Sequence, residues 1–323
     1  MRTEELTAVI ENSIRRICDQ LPSSPAHLYE PIHYTLQSGG KRFRPVLTLH
    51  AAELFSEDHS VAIPSALAVE LFHNFSLLHD DIMDNAPLRR GNPSVHAKWN
   101  SNVAILSGDA LYTEAFKQLG KSDPNSLPQL LSIFTETALK VCEGQQLDMD
   151  FEKKNSVSIA EYLHMIELKT AVLVGAALKM GALSAGADEK SAELLYLFGK
   201  HLGIAFQLQD DVLDVYGNAE KFGKRSGGDI IADKKTFLLL RAYELANRYQ
   251  KEELQNWSQV KDENEKVKGV KAIYDSLNVK DLALAEMHEH YRHAAAALEK
   301  VNAPLAKRKV LLDLADHLMK RDH

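Results

Sequence analysis

The sequence predicts one all-α domain over residues 1–323, built from about 10–13 helices. Three observations predict this fold class. Apolar residues recur every three or four positions along most of the chain, as they do on the buried face of a helix. Prolines and glycines fall between these runs, where helices begin and end. Strand-like alternation bounded by hairpin turns is missing.

The predicted helices follow from these signals in chain order. Residues 4–21 carry an apolar stripe that Pro22 ends, and a short helix over residues 29–37 stops at a glycine pair. A proline begins each of the next two helices, and the second of them runs from residue 64 to residue 84. Further helices are predicted at residues 102–119, 128–152, 158–180, 189–216, 235–248, 279–300 and 305–320. The charged stretch 251–268 is interpreted as an exposed helix pair or loop.

Composition argues against several classes of protein. The chain has 38 basic and 45 acidic residues and a formal net charge of −7, so a nucleic-acid role gains no support. The N-terminus lacks the apolar segment of a signal peptide, and no run approaches the ~18 apolar residues of a transmembrane helix. Cys18 and Cys142 are expected in the core, which suits a reducing compartment. We therefore expect a cytoplasmic protein.

Three aspartates end the long apolar helix, and two arginines follow them. Asp80, Asp81 and Asp84 would lie at the negative end of the helix dipole, which disfavours carboxylates. Asp80 and Asp84 are four residues apart and leave the same face, where Mg²⁺ would offset their repulsion. Arg89 and Arg90 can bind phosphate oxygens in two-point fashion. Taken alone, the pattern is also typical of a solvated acidic turn before a basic loop.

The same aspartate spacing occurs a second time. Asp210, Asp211 and Asp214 again end an apolar helical run, just before Gly217. Two such motifs, each at the end of a hydrophobic helix, are hard to explain as solvated surface aspartates without a function. If the two helices face each other, the aspartates form a cage for several Mg²⁺ ions and one diphosphate.

With both motifs in view, the sequence resembles the trans-isoprenyl diphosphate synthases of the polyprenyl synthetase family. The aspartate motifs read DDIMD and DDVLD, and the supporting motifs are GGKRFRP at 39–45, GQQLD at 144–148, KT at 169–170 and GKRSGGD at 223–229. The resemblance covers nearly the whole chain. It implies a bundle of helices around a deep central cavity, and a homodimer.

The resemblance also implies a reaction, the head-to-tail (1′-4) condensation of isopentenyl diphosphate with an allylic diphosphate. The product would be a short-chain all-trans prenyl diphosphate. The cofactor would be Mg²⁺, about three ions per active site with substrate bound, acting as Lewis acids on the leaving diphosphate. By resemblance the direct ligands are Asp80, Asp84 and Asp210. The other three aspartates, Asp81, Asp211 and Asp214, would support these ligands or bind through water, or they are simply solvated helix ends.

Substrate contacts are carried over from the family residue by residue. The residues expected at isopentenyl diphosphate are Lys41, Arg44, His73 and Arg90. Those expected at the allylic diphosphate are Arg89, Lys169, Lys224 and Lys234. Thr170 and Gln207 would direct oxygens at the developing cation, with Gln145 and Asp148 in support. Residues 217–233 would form a lid, in which Asp233 departs from the glycine that many family members carry before the lysine.

Product length should depend on the helix face below the first aspartate motif. Phe75 lies five residues before Asp80, and Ser76 lies four before it. In the family, one aromatic residue at the earlier position, without an insertion between the aspartates, goes with a C20 product. We therefore predict geranylgeranyl diphosphate over the C15 farnesyl diphosphate. Ordinary core packing of Phe75 is the alternative.

Several other classes of protein compete with this interpretation. Head-to-head condensing enzymes usually show acid-rich motifs of the DxxED kind, and a magnesium-binding helical bundle without catalysis would leave the paired arginines unexplained. A class I terpene cyclase also uses DDxxD, but it has no need of the basic residues for a second substrate. A non-catalytic partner subunit typically loses one aspartate motif, and both are intact here. Activity of the purified protein alone would separate these classes.

Overall fold

The described part of the chain is mostly helical. The computed structural model describes residues 2–217 and 227–320. Its α-helices, numbered in chain order, are α1 (Arg2–Gln20), α2 (Ala26–Gln37), α3 (Phe43–Glu53), α4 (Ile63–Met83), α5 (Val95–Lys98), α6 (Ser101–Leu119), α7 (Leu127–Lys153), α8 (Ile159–Ile166), α9 (Val172–Ser184), α10 (Glu189–Tyr216), α11 (Gly228–Ile231), α12 (Phe237–Leu245), α13 (Arg248–Ser258), α14 (Glu263–Ser276), α15 (Val279–Glu299) and α16 (Leu305–Met319). The all-α fold class is confirmed, and single-turn helices such as α5 and α11 raise the number of helices above the predicted range.

The chain divides into two compact units. Unit 1 consists of Met1–Ala138, Leu173–Tyr196 and Lys300–Leu311. Unit 2 consists of Leu139–Val172, Leu197–Glu299 and Leu312–His323. The helices α7, α10 and α16 contribute residues to both units. One domain around a central cavity stays a prediction.

The helix α4 is central to unit 1. Pro64 lies in its first turn, as predicted, where a missing N–H costs no hydrogen bond. Apolar side chains such as Leu71 and Phe72 are fully buried on it. The helix packs along α6 and against α1 and α3. Because α4 is held on several sides, the aspartates at its last turn have a fixed support.

One segment has the length and hydropathy of a membrane span, contrary to the expectation that no run approaches it. It is His59–Met83, a 3₁₀ turn followed by α4, and 61% of its most apolar window is buried inside the protein. That burial is typical of a helix in the core of a water-soluble protein.

A two-stranded hairpin follows α4, where the sequence predicts no strand. β1 (Leu88–Arg89) pairs with β2 (Asn92–Pro93) in antiparallel fashion. Strands of two residues are too short to show alternation, so periodicity could not reveal them. The turn residues Arg90 and Gly91 both have positive φ, 54° and 77°. This is the backbone of a type I′ turn.

Unit 2 has its own apolar core. Tyr162, Leu208, Phe237 and Tyr274 are among its buried members. The helix α12 packs against α8, α14 and α15. The stretch that the sequence left as a helix pair or loop is the helix pair α13 and α14, and Leu254 and other apolar residues of that pair join the core.

The two cysteines differ in exposure. Cys18 is buried on α1, as predicted, whereas Cys142 is exposed on α7. The expectation that Cys142 lies in the core is therefore wrong. Its neighbour Val141 is buried, and consecutive residues of a helix point in different directions.

Candidate active site

The last turn of α4 presents the first aspartate motif. Asp80 is half-buried, and Asp84 is exposed at the C-cap position. The Asp84 N–H donates to the Asp80 carbonyl at 2.8 Å, so helical hydrogen bonding continues to the cap. The four-residue spacing therefore places these two carboxylates on one face of α4.

The middle aspartate of this motif binds an arginine of the protein. Asp81 is buried, and its Oδ1 accepts a hydrogen bond from Arg89 Nε at 2.9 Å and another from the same guanidinium. Arg89 itself is half-buried. Asp81 thus fixes the position of Arg89, and its carboxylate is engaged within the protein.

The glycine pair of the GGKRFRP motif contacts the second arginine. Arg90 donates to the Gly39 carbonyl. Gly40 has φ of 142°, and a Cβ at Gly40 would lie 2.9 Å from the Arg90 Cζ. Only glycine allows this approach without a shift of the arginine. The contact brings the turn that carries Lys41 to the hairpin that carries Arg90.

A histidine of α4 completes this basic group. Arg44 Nη1 lies 3.2 Å from His73 Nε2. Because an arginine can only donate, His73 Nε2 accepts and the ring is neutral. Burial, and after it the nearby charges of Arg44, Arg90 and Arg89, hold the pKa of His73 well below its usual value. Positive charge in this group therefore comes from lysine and arginine alone.

We call five residues of unit 1 the basic cluster: Lys41, Arg44, His73, Arg89 and Arg90. Asp80 and Asp84 lie on α4, the helix that also carries His73. Several guanidinium groups and an exposed lysine around a short turn suit an anion with several oxygens, such as a phosphate. The site combines such an anion with two carboxylates suited to a hard cation.

The residues expected to set product length lie one to two turns below Asp80. The Phe75 ring stacks on Tyr112 of α6, with 4.8 Å between centroids and 12° between planes. It also meets His79 edge-on at 4.6 Å. The Ser76 hydroxyl donates to the His73 carbonyl at 2.9 Å. Phe75 is thus braced by an aromatic residue from another helix.

In unit 2, a π-helical turn carries the KT motif. The sequence predicts one helix over residues 158–180, but a π-helical turn (Glu167–Ala171) separates α8 from α9. Helices α7 and α10 pass close to it at glycines. A Cβ at Gly144 would lie 2.6 Å from the Lys169 Cα, and one at Gly203 would lie 2.7 Å from the Ala171 Cα. Such turns are often found at functional sites.

The side chains of this turn contact the other expected residues of unit 2. Lys169 Nζ binds Asp148 Oδ2 at 2.5 Å. The Thr170 hydroxyl donates to Gln207 Oε1 at 3.4 Å. Gln145 is buried one turn before Asp148 on α7. The structure therefore brings Lys169 to Asp148 and Thr170 to Gln207.

The middle aspartate of the second motif is also held inside the protein. Asp211 is buried and accepts hydrogen bonds from the Tyr162 hydroxyl and, at 3.3 Å, from Gln207 Nε2. Burial, and after it the negative charge of Asp229, raises the pKa of Asp211 to about 7, although the Tyr162 and Gln207 hydrogen bonds act in the opposite direction. Asp211 thus fixes Gln207, much as Asp81 fixes Arg89.

The last aspartate of the second motif contacts the chain that follows the motif. Asp214 Oδ2 accepts from the Asp229 N–H at 2.9 Å, and the Asp214 carbonyl accepts from the Gly227 N–H at 2.7 Å. Asp210 is half-buried on α10. Lys224 and most of the expected lid, residues 218–226, lie outside the described residues.

Asp233, which stands where many family members carry glycine, has a backbone conformation that favours glycine. Asp233 has φ of 51°, in the left-handed region that favours glycine. Its carboxylate accepts a hydrogen bond from Lys266 Nζ at 2.6 Å, and the same ammonium donates to the Ile231 carbonyl at 3.1 Å. Lys266 is buried. The departure from glycine thus coincides with a left-handed residue whose side chain pairs with Lys266.

The aspartates fit a magnesium site by their chemistry. Carboxylate oxygens are the ligands that Mg²⁺ prefers, and one or two carboxylates usually suffice when a substrate phosphate is present. Within residues 2–217 and 227–320, no group of three His, Cys, Asp or Glu side chains is arranged to hold a metal ion by itself. An ion at Asp80 and Asp84, or at Asp210, would therefore need oxygens from a ligand or water as well.

Sequence reasoning missed three contributors. Tyr162 and Tyr112 lie inside apolar helical runs, where an aromatic residue is usually part of the core. Nothing in their local sequence points to the residues they contact on other helices. Gly144 was visible as the first residue of GQQLD, but its close approach to Lys169 depends on how α7 packs.

Comparison with known proteins gives one consistent family. Residues 25–277 match the polyprenyl synthetase family. The chain is 39% identical over 302 residues to a geranylgeranyl pyrophosphate synthase from Geoglobus acetivorans, covering 93% of this chain and 92% of that protein. It is 39% identical over 246 residues to a geranylfarnesyl diphosphate synthase from Natronomonas pharaonis, covering 70% and 72%. A crystal structure of a geranylgeranyl pyrophosphate synthase superposes with a TM-score of 0.94 at 43% identity, covering 99% and 98%.

Proposed function

This chain belongs to the polyprenyl synthetase family and is a prenyltransferase, and we propose that it condenses isopentenyl diphosphate with an allylic diphosphate. The bond forms between C4 of isopentenyl diphosphate and C1 of the allylic substrate. The bond between C1 of the allylic substrate and its diphosphate oxygen breaks, so diphosphate leaves, and a proton is lost from the isopentenyl unit. The preferred product is the C20 compound geranylgeranyl diphosphate.

The observation that carries this proposal is the basic cluster. Arg44 contacts neutral His73, and Arg90 contacts the glycine turn before Lys41. These groups would bind the diphosphate of isopentenyl diphosphate by charge-assisted hydrogen bonds. The binding needs no metal, because the cluster itself supplies the positive charge.

The allylic diphosphate would be held by other residues of the chain. The aspartates that would hold magnesium are Asp80, Asp84 and Asp210, and bound Mg²⁺ would neutralise the charge that builds up on the leaving diphosphate. Arg89, fixed by Asp81, would bind the same diphosphate. Lys169, Lys224 and Lys234 would add further positive charge. Asp211 and Asp214 would act through their contacts within the protein.

Two side chains would stabilise the allylic cation. The Thr170 hydroxyl and the Gln207 amide oxygen lie 3.4 Å apart and carry partial negative charge. Asp211 holds the Gln207 amide nitrogen, which leaves the orientation of the amide oxygen defined. Fixed dipoles of this kind stabilise a developing charge without having to reorganise. Gln145 and Asp148 would support Lys169. The released diphosphate would accept the proton.

Product length would be limited by the braced Phe75. Its stacking on Tyr112 opposes rotation of the ring out of the path of a growing chain. Ser76, beside it, leaves more room than a second aromatic residue would, which favours C20 over C15. Some relatives are named geranylgeranyl synthases and others geranylfarnesyl synthases, so a C25 product is the alternative on the longer side.

We also propose a cytoplasmic homodimer. Ile105 and Leu106 of α6 and Leu131 of α7 are exposed in unit 1, and Leu106 is 60% exposed. A second copy would cover such exposed apolar side chains. Neither Cys18 nor Cys142 forms a disulfide, which suits a reducing compartment.

The test is turnover by the purified protein with Mg²⁺, isopentenyl diphosphate and an allylic diphosphate. We expect prenyl diphosphates longer than the allylic starter, no product in EDTA, and at least a hundredfold lower rate for Asp80→Asn. A cyclase would instead consume the allylic diphosphate alone and release a hydrocarbon. A non-catalytic subunit would neither elongate the allylic diphosphate nor release a hydrocarbon. The cyclase result and the inactive result would each overturn the proposal.

A further inference from the structure

The middle arginine of the GGKRFRP motif lies apart from its neighbours. Lys41 is exposed and Arg44 is half-buried, but Arg42 is 2% exposed. A guanidinium is rarely buried to this extent unless its nitrogens donate hydrogen bonds and its charge is paired. The contacts of Arg42 therefore indicate what it does.

All three guanidinium nitrogens of Arg42 donate to groups of the protein. Nε donates to Glu11 of α1 at 2.7 Å, and Nη1 donates to Glu70 of α4 at 2.7 Å. Nη2 donates to the Leu36 carbonyl of α2 at 2.6 Å. Three helices of unit 1 thus converge on one side chain. Asn74 also donates to Glu70, which holds that carboxylate in place.

The charge balance keeps Arg42 cationic where it lies. Burial acts to lower its pKa, but Glu70 and Glu11 outweigh burial and raise it. Two carboxylates, of which Glu70 is fully buried, serve this one guanidinium. Arg42 is therefore committed to the protein and does not reach a substrate.

The backbone at Arg42 is strained. Its φ is 46°, in the left-handed region, and it directly precedes the first residue of α3. A non-glycine residue is disfavoured in this region, so surrounding contacts must hold it. The buried ion pairs of Arg42 supply such contacts.

Two parallel contacts then join the start of α3 to α4. Arg42 binds Glu70, and Arg44 binds His73. Glu70 and His73 are three residues apart and lie on neighbouring positions of one helix face. Lys41 directly precedes Arg42. The position of the Arg42 guanidinium therefore fixes the backbone from which Lys41 and Arg44 extend.

We infer that Arg42 is a positioning residue for the isopentenyl diphosphate site. It locks the turn so that Lys41 and Arg44 are preorganised for the diphosphate, and it does not touch the substrate. The inference rests on the proposed function, which assigns Lys41 and Arg44 to that substrate. Preorganisation of this kind favours binding because less ordering is left to the moment of association.

The test compares binding of the two substrates in an Arg42→Lys variant. A lysine keeps the charge but has no planar fork for three acceptors. We expect isopentenyl diphosphate, titrated calorimetrically in EDTA, to bind about tenfold more weakly, and its KM to rise similarly. The KM for the allylic diphosphate should stay within about twofold of the wild-type value.

Two further variants keep the test decisive. Leu6→Ala removes a buried side chain from α1 and controls for general loosening of unit 1. Glu11→Gln is milder, because Glu70 still pairs with Arg42, and it decides the question should Arg42→Lys fail to fold. We expect it to weaken isopentenyl diphosphate binding about threefold, with an unchanged allylic KM.

Each outcome has a definite meaning. Equal rises in both KM values, or the same pattern in Leu6→Ala at matched loss of thermal stability, would contradict the positioning role. Unchanged binding of isopentenyl diphosphate in both Arg42→Lys and Glu11→Gln would also contradict it. Calorimetry does not need turnover, so a wild-type protein that binds isopentenyl diphosphate but does not elongate would overturn the proposed function and leave the role of Arg42 to be judged by binding.

Discussion

At the scale of single residues, the middle aspartate of each motif has a different role from the outer two. The middle aspartates, Asp81 and Asp211, are buried and hold Arg89 and Gln207. Asp80 and Asp84 are more accessible at the end of their helix. A buried carboxylate with protein donors is a poor candidate for a metal that enters with substrate. The sequence alone could rank these aspartates only by resemblance, because spacing does not tell which of two adjacent carboxylates turns inward.

Phe75, which lies below Asp80 on α4, gives a prediction about product length. Phe75→Ala should shift the product beyond C20, because the ring that stacks on Tyr112 would be gone. Chromatography of the dephosphorylated products measures the shift. Tyr112→Phe keeps the stacked ring and should leave the distribution as in the wild type. An unchanged distribution for Phe75→Ala would exclude Phe75 as the limiting residue.

His73 gives a prediction about pH. The pKa of His73 is lowered in the folded protein. Below pH ~6.5, His73 therefore binds a proton in the unfolded chain but not in the folded protein. Stability should therefore fall as the pH is lowered from 8 to 5.5, by up to ~1.4 kcal/mol per pH unit from this group. His73→Gln should lose less stability than the wild type in urea denaturation over this range. The exposed His27→Gln should behave as the wild type, and equal losses in all three proteins would contradict the assignment.

At the scale of elements, helix ends position most of the site. The aspartates lie near the ends of α4 and α10. Lys41 lies in the turn before α3, Arg44 in the first turn of α3, and Arg89 and Arg90 in the hairpin after α4. The π-helical turn (Glu167–Ala171) carries Lys169 and Thr170 and packs against glycines of two other helices. Functional side chains at helix ends and irregular turns can be aimed more freely than those on a regular helix face.

The glycine beside the π-helical turn should tolerate no side chain. Gly144→Ala would place a Cβ 2.6 Å from the Lys169 Cα and must push α7 and the turn apart. We expect a lower melting temperature and a KM for the allylic diphosphate about tenfold higher. At Gly120, by contrast, a Cβ would meet its nearest atom at 3.4 Å. Gly120→Ala is the matched control, and similar kinetics for both variants would show that the close approach does not matter.

Periodicity predicted the long elements well and the irregular ones poorly. The helix α10 has the predicted bounds, 189–216, because its apolar stripe and flanking turn residues lie in the local sequence. The π-helical turn depends on Gly144 and Gly203, which are distant in sequence, so no local pattern announces it. The positive φ values of Arg42 and Asp233 depend in the same way on partners from other helices.

At the scale of the whole molecule, a net charge of −7 and a local basic cluster coexist. The overall field repels an anionic diphosphate, so recognition must come from Lys41, the arginines and metal over short distances. Family membership covers residues 25–277, and the fold matches a solved synthase over nearly the whole chain. The fold class and the reaction class could thus be predicted from sequence motifs, whereas the contacts that hold each residue could not.

The exposed apolar face of α6 gives a prediction about assembly. Leu106→Glu should weaken the proposed dimer, because it would bury a charge in an apolar interface. Light scattering after gel filtration should find the wild type near twice the chain mass of 36.1 kDa and the variant shifted toward one. The exposed Leu245→Glu, on α12 of unit 2, is the control. A monomeric wild type would contradict the dimer.

The measurement that tests the central claim most directly is product sizing. The purified protein would be incubated with Mg²⁺, isopentenyl diphosphate and, in turn, dimethylallyl, geranyl or farnesyl diphosphate. We predict one C20 alcohol from all three starters after hydrolysis. A stop at C15, or a C25 product, would keep the reaction but contradict the limit assigned to Phe75 and Ser76. No elongation of any starter by folded protein would contradict the account as a whole.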